Sequence, residues 1–194
     1  MTTSNGEIKV WDPFVRVFHW SLATAFFIAY FTEEDLLDIH VWAGYIVLGL
    51  VMARVLWGVV GSQHARFGDF VYPWSRVKQH IREVMKFNPR RYIGHNPAGG
   101  LMIILLLISL VLTSVLGLAV YGADQGAGPL AGWLASSPEW LEDVLEETHE
   151  IIANLTLLLV VVHVSGVIVE SRLMKENLVK AMITGRKPAQ PEQE

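Results

Sequence analysis

Four long apolar segments constrain the fold of this chain more than any other feature of its sequence. Each approaches or exceeds the roughly 20 residues that a helix needs to cross a bilayer. They cover about residues 14–31, 37–60, 97–121 and 145–169. Charged residues make up only 18% of the chain, against about 25% in an average soluble domain. We therefore predict an all-α fold, a transmembrane four-helix bundle, with one membrane domain over residues 1–187.

Charges are divided unequally between the connections. Neither the connection between the first two spans nor the one around 122–144 holds a Lys or Arg, and all fifteen basic residues lie elsewhere. The acidic residues of these two connections are Glu33, Glu34, Asp35, Asp38, Asp124, Glu139, Glu142, Asp143, Glu146 and Glu147. Because basic residues stay on the cytoplasmic side of membrane proteins, we predict that both termini and the connection 61–96 are cytoplasmic. The connection 122–144 is then periplasmic, and the chain is a multi-pass protein of the bacterial inner membrane.

Three shorter segments carry predictions of their own. Residues 72–87 place apolar side chains at helical spacing among basic ones, which predicts an interfacial helix in contact with membrane lipid, or alternatively a solvated linker helix. The apolar positions are Val77, Ile81, Val84 and Met85. Residues 138–147, PEWLEDVLEE, are able to extend the fourth span outward. The chain after Gly185 is predicted to be disordered, and residues 188–194 are assigned to a disordered tail.

The composition excludes several kinds of site. The chain has no cysteine, so disulfides, thiolate metal sites, iron–sulfur clusters and covalent haem attachment are ruled out. No nucleotide-binding glycine pattern is present, and we expect no nucleic-acid partner. The N-terminus lacks the basic and apolar regions of a signal peptide.

Four histidines lie within the spans or at their ends: His19, His40, His149 and His163. Ionisable residues inside a bilayer are costly and therefore functional candidates, although a histidine can also simply hydrogen-bond to a neighbouring helix. His149 and His163 are fourteen residues apart, which places them on one helix face about 21 Å apart along the axis. Given the direction of each span, His19 matches His163 in depth near the inner surface. His40 matches His149 near the outer surface.

Two histidines facing each other at one depth suit the axial ligation of a haem iron, since neutral imidazole is a good iron ligand. A catalytic zinc ion needs three protein ligands. Non-haem iron sites need nearby carboxylates, which neither pair has. The sequence therefore predicts two haems, which together form a conducting path between the two faces.

Small and basic residues accompany the histidines. Gly44 follows His40 by four residues and Gly166 follows His163 by three, which leaves room for a porphyrin or permits close helix packing. Arg16 precedes His19 by three residues and is a candidate partner for a propionate of the inner haem, as are Arg54 and Arg172. The alternative for each arginine is to extend toward the lipid headgroups.

Five stretches of the sequence resemble one family. They are VWDPFVRVFHW, HVWAGY, RYIGHNPAGGLM, THEIIANL with HVSG, and ENLVKAMITGRK, and they extend from Val10 to Lys187. They resemble the bacterial cytochrome b561 and nickel–iron hydrogenase cytochrome b group. The resemblance implies two non-covalent b-type haems, with His19 and His163 as axial ligands of the inner haem and His40 and His149 as those of the outer haem.

The same resemblance implies a function in electron transfer. Members of the group pass electrons between the membrane quinone pool and a separate redox protein, which is a hydrogenase, another dehydrogenase or a c-type cytochrome. The chain is then an electron-transfer subunit of a quinone-linked oxidoreductase, with no catalytic residue assigned to it. Its acidic outer connections favour a partner with a basic surface. The sequence does not determine which partner, the direction of electron flow or the oligomeric state.

Two questions stay open from the sequence. His95 and Asn96 are a candidate quinone site, but Asn96 followed by Pro97 also fits the start of a helix, which we favour. The alternative functions are a histidine proton relay in a transporter and an anchor subunit without a redox role. Four spans without a broken-helix pair argue against a transporter.

Overall fold

The computed structural model describes residues 6–32 and 36–189, and helices dominate it. Four helices are long and apolar enough to cross a membrane. They are α1 (Pro13–Thr32), α2 (Leu37–Val60), α5 (Pro97–Asp124) and α7 (Glu139–Leu173). The four predicted spans are therefore confirmed as helices. The acidic residues Glu33 to Asp35 and the tail residues 190–194 lie outside the described residues.

Shorter elements connect the long helices. A 3₁₀ turn at Gln63–Ala65 precedes α3, and the other short helices are α4, α6 and α8. Their bounds are Phe67–Phe70 for α3, Trp74–Met85 for α4, Ala131–Leu134 for α6 and Leu178–Thr184 for α8. Two short strands, β1 (Glu7–Lys9) and β2 (Arg186–Pro188), pair antiparallel.

Polar residues set the starts of several helices. Asp12 precedes Pro13 and accepts a hydrogen bond from the backbone N–H of Val15 at 2.9 Å, so it caps α1. Asn177 caps α8 by accepting from the backbone N–H of Lys180 at 2.8 Å. Helix α7 begins at Glu139, which confirms that PEWLEDVLEE extends the fourth span.

The chain divides into two compact units, and each long helix contributes a part to both. The first unit comprises Met1–Trp20, Ala53–Ile104 and Val160–Glu194. Its apolar core is formed by Val10, Trp11, Val15, Ala65 and Ala181. The second unit comprises Ser21–Met52 and Leu105–Leu159. Its internal polar contacts include Tyr30 donating to Asn154 at 2.7 Å and Ser109 with Thr156 at 2.5 Å.

The C-terminal segment differs from its prediction. The prediction of disorder after Gly185 is wrong for residues 186–188, because they form β2 and pair with β1 near the N-terminus. Gly185 adopts φ 79°, a left-handed conformation that ends α8 and favours glycine. Lys187 is buried, and its ammonium lies 6.0 Å from the Trp11 ring centroid. The segment is therefore ordered by contacts that are remote in sequence.

Helix α4 is present where an interfacial helix was predicted, and its sides differ in burial within the protein. Val77 and His80 are buried, whereas Ile81 and Met85 are exposed. His80 Nε2 lies 2.8 Å from Glu170 Oε1, and Asn96 donates to the other oxygen of the same carboxylate. Polar groups therefore connect the buried side of α4 to α7 and α5, and contact of the exposed Ile81 and Met85 with lipid stays a prediction.

Candidate functional site

The four predicted site histidines form two pairs, one within each unit. His19 of α1 faces His163 of α7, with ring centroids 6.3 Å apart. His40 of α2 faces His149 of α7, with ring centroids 6.1 Å apart. These are the two pairs that helix depth predicts. Their role as iron ligands stays a prediction.

Both separations fit one metal ion between two imidazoles. A ligating imidazole nitrogen lies about 2 Å from a metal ion, so two rings on opposite sides of one ion have centroids about 6 Å apart. Within residues 6–32 and 36–189, no group of three or more histidines and carboxylates is placed to hold a metal ion. Each pair therefore suits a metal that already has equatorial ligands, as the iron of a porphyrin has.

The second pair is held in one tautomer by backbone carbonyls. His40 Nδ1 lies 2.9 Å from the carbonyl oxygen of Ala29 in α1, and His149 Nδ1 lies 3.0 Å from that of Thr113 in α5. A carbonyl only accepts, so each Nδ1 carries the hydrogen and each Nε2 keeps its lone pair. Metal-ligating histidines in proteins are oriented in this way.

Gly117 of α5 is a site residue that the sequence reasoning missed. A Cβ built at this position would lie 2.9 Å from Cε1 of His149, closer than real Cβ atoms approach other heavy atoms. The absence of a side chain therefore lets the His149 ring lie against α5 and reach the Thr113 carbonyl. The only hint of this role in the sequence was that Gly117 lies in the one predicted span that holds no histidine.

The two glycines chosen from the sequence have a different environment. A Cβ at Gly44 or at Gly166 would meet no protein atom within 4 Å. Close packing against a neighbouring helix, the alternative role considered from the sequence, therefore does not require glycine at either position. Both positions therefore border open space, and their role in haem binding stays a prediction.

Arg16 is bound to the end of α8. Its Nη1 donates to the carbonyl oxygen of Ile183 at 2.6 Å, while its Nε is buried without a hydrogen-bond partner. His19 Nδ1, one turn further along α1, is also buried without a partner. The first histidine pair thus has unsatisfied nitrogen atoms nearby, whereas both Nδ1 atoms of the second pair are satisfied.

Asn96 takes the capping role that we favoured. Its Oδ1 accepts from the backbone N–H of Gly99 at 2.7 Å, at the start of α5. His95 packs between two aromatic rings, with centroids 4.4 Å from Trp11 and 4.8 Å from Phe70. Its Nδ1 is buried and unpartnered. A role of His95 in quinone binding stays a prediction.

We expect His95 to make the stability of the protein depend on pH. Burial, followed by the nearby charge of Arg54, lowers the pKa of His95 from 6.5 to about 3. Between these values the unfolded chain takes up a proton that the folded state does not, so stability is lost as the pH falls below 6.5. Thermal unfolding from pH 8 to pH 5 in detergent should show a smaller loss of stability for His95→Phe than for the wild type. Equal pH dependence of the two proteins would contradict this expectation.

Comparisons with known proteins agree with this geometry. Residues 10–185 match the sequence profile of the family described as "Prokaryotic cytochrome b561". The chain is 26% identical to the "Probable Ni/Fe-hydrogenase B-type cytochrome subunit" of Rhizobium leguminosarum bv. viciae, over 93% of this chain and 89% of that protein. It is 31% identical to the protein of the same description in Azotobacter vinelandii, over 75% of this chain and 65% of that protein. No solved structure matches the chain significantly.

Proposed function

Because this chain belongs to the prokaryotic cytochrome b561 family, we propose that it is a multi-pass membrane cytochrome that holds two b-type haems and transfers electrons between the quinone pool and a separate redox partner. The observation that carries the proposal is the presence of two facing histidine pairs, at 6.3 Å and 6.1 Å. Each pair has the separation that axial ligands of one iron require. The four long apolar helices supply the membrane-spanning part.

In this proposal, four histidines bind the haem irons, and backbone carbonyls orient two of the imidazole rings. His19 with His163 and His40 with His149 supply the axial nitrogen atoms. The carbonyls of Ala29 and Thr113 hold the second pair with Nε2 free to bind iron. When bound, haem iron supplies reversible one-electron transfer.

We also propose an orientation of the protein in the membrane and a class of redox partner. The distribution of basic residues supports cytoplasmic termini in the bacterial inner membrane, with the His40–His149 pair toward the periplasm. The names of the two relatives above support a nickel–iron hydrogenase as the partner. The acidic connections on the periplasmic side would attract a basic surface of that partner and accelerate its association.

A visible absorption spectrum of the purified protein tests the proposal. After expression with sufficient haem, the protein in nanodiscs should give a reduced b-type α-band, and pyridine haemochrome analysis should give two haems per chain. A quinol analogue should then reduce both haems. A folded but colourless protein would rule out the proposed function, and one haem per chain would rule out the two-site form.

A further inference from the structure

The first unit contains buried nitrogen atoms that no protein atom satisfies. Within the part of the chain that the structure describes, five buried side-chain atoms lack a hydrogen-bond partner, and all five are nitrogens of this unit. They are Arg16 Nε, His19 Nδ1, Arg54 Nη1, His80 Nδ1 and His95 Nδ1. Buried polar groups nearly always have hydrogen-bond partners, and an unsatisfied one destabilises the folded protein. The two arginine nitrogens can only donate, so Arg16 Nε and Arg54 Nη1 indicate an acceptor that the protein itself does not supply.

Arg54 is the most demanding of these residues because its permanent charge is buried, whereas Arg16 is half-buried and donates to Ile183. Arg54 lies in α2 and is only 3% exposed. Among residues 6–32 and 36–189, no carboxylate oxygen pairs with its guanidinium within 4.0 Å. Proteins seldom bury a charge without a counter-charge, because desolvation then has no compensation.

The nearby carboxylate of Asp12 is already engaged. It accepts from the backbone N–H of Val15 at 2.9 Å, from the indole N–H of Trp57 at 3.1 Å and from the hydroxyl of Ser62 at 2.5 Å. These bonds hold Asp12 at the start of α1. Asp12 therefore lowers the cost of the Arg54 charge at a distance but leaves Nη1 of Arg54 without a hydrogen-bond acceptor.

Aromatic rings form the other surroundings of Arg54. Its guanidinium carbon lies 5.5 Å from the ring centroid of Phe67 and 5.8 Å from that of Phe70. The Phe70 ring also contacts His95. Rings at these distances stabilise a cation through their faces and exclude water, but they do not accept the N–H bonds of a guanidinium strongly.

We propose that Arg54 binds a propionate carboxylate of the haem held by His19 and His163. This inference rests on the proposed function, since it requires a haem at that pair. Arg54 lies six residues before the end of α2 and His19 lies six residues after the start of α1, and both belong to the first unit. A guanidinium binds a carboxylate through two parallel hydrogen bonds. The unpartnered Nε of Arg16 is a donor for the second propionate.

The second unit provides a contrast that supports this assignment. Its residues, Ser21–Met52 and Leu105–Leu159, include no Lys or Arg. A haem at His40 and His149 therefore has no basic side chain of its own unit for its propionates. The two haems then differ in their electrostatic environment, and only the first is sensitive to Arg54.

Redox titration of three variants tests the role of Arg54. The variants are Arg54→Gln, Arg54→Lys and, as a control, Arg82→Gln, which changes an exposed arginine of α4. The haem lost in His163→Ala identifies the spectrum of the relevant site. Arg54→Gln should lower the midpoint potential of that haem and move its pH dependence to higher pH, because the propionate loses its counter-charge. Arg54→Lys should restore most of the potential, and the other haem should not change.

A second measurement covers the case in which Arg54→Gln does not accumulate. Haem-depleted wild-type membranes are reconstituted with haem b or with its dimethyl ester, in which both propionates are blocked. Loss of one charge-assisted bond should weaken ester binding at the His19–His163 pair by about tenfold or more. Equal binding of haem and ester at that pair would overturn the inference, as would identical titrations of Arg54→Gln and Arg82→Gln. Absence of haem from the wild type would instead reject the proposed function.

Discussion

His149→Ala is expected to remove one of the two haems and to leave the other bound. His149 faces only His40, at a centroid distance of 6.1 Å. Loss of one axial imidazole leaves the iron with a single protein ligand in that pair. Pyridine haemochrome analysis of the purified variant should therefore give about half the haem content of the wild type, since the His19–His163 pair is unchanged. Redox titration should show one component in place of two.

Three further substitutions make this experiment specific. His40→Ala should remove the same spectral component as His149→Ala, because the two residues belong to one pair. His163→Ala should remove the other component. His64→Ala is the matched control, since His64 hydrogen-bonds to Asp69 at 2.9 Å and belongs to neither pair. If His149→Ala and His163→Ala removed the same component, the assignment of the pairs would be wrong.

Gly117→Leu is expected to remove the haem of the His40–His149 pair without changing any proposed ligand. A Cβ at residue 117 would lie 2.9 Å from Cε1 of His149, so the imidazole ring has to move away from α5. The ring then loses its hydrogen bond to the Thr113 carbonyl, and with it the orientation of Nε2. Haem content should fall toward one per chain, and the spectrum should resemble that of His149→Ala.

Gly49→Leu provides the control for this substitution. Gly49 lies in α2, is exposed, and a Cβ there would meet no atom within 4 Å. Leucine has a higher helix propensity than glycine, so neither substitution is expected to weaken its helix. Gly49→Leu should retain both haems. Retention of both haems in Gly117→Leu would show that the His149 ring does not depend on its close approach to α5.

The features that the sequence did not predict have a common physical cause, which is contact between residues distant in the chain. The extension of α7 and the cap at Asn96 were predicted because both depend on neighbouring residues in the chain. The strand at residues 186–188 was not, because it forms only when it pairs with β1, almost 180 residues away. The contact of His80 with Glu170 was not predicted either, because the two residues lie 90 positions apart in the chain.

The sequence by itself determined the number of spans and the pairing of the histidines, because both follow from the length and rise of a helix. Apolar segments identify the helices, and residue number along each helix gives depth. The surroundings of the histidines were decided only by the tertiary structure. Which nitrogen of His149 is free depends on Thr113 and Gly117 in another helix. Among the arginines considered from the sequence, Arg54 was distinguished only by its burial without a counter-charge, which depends on packing between segments distant in sequence.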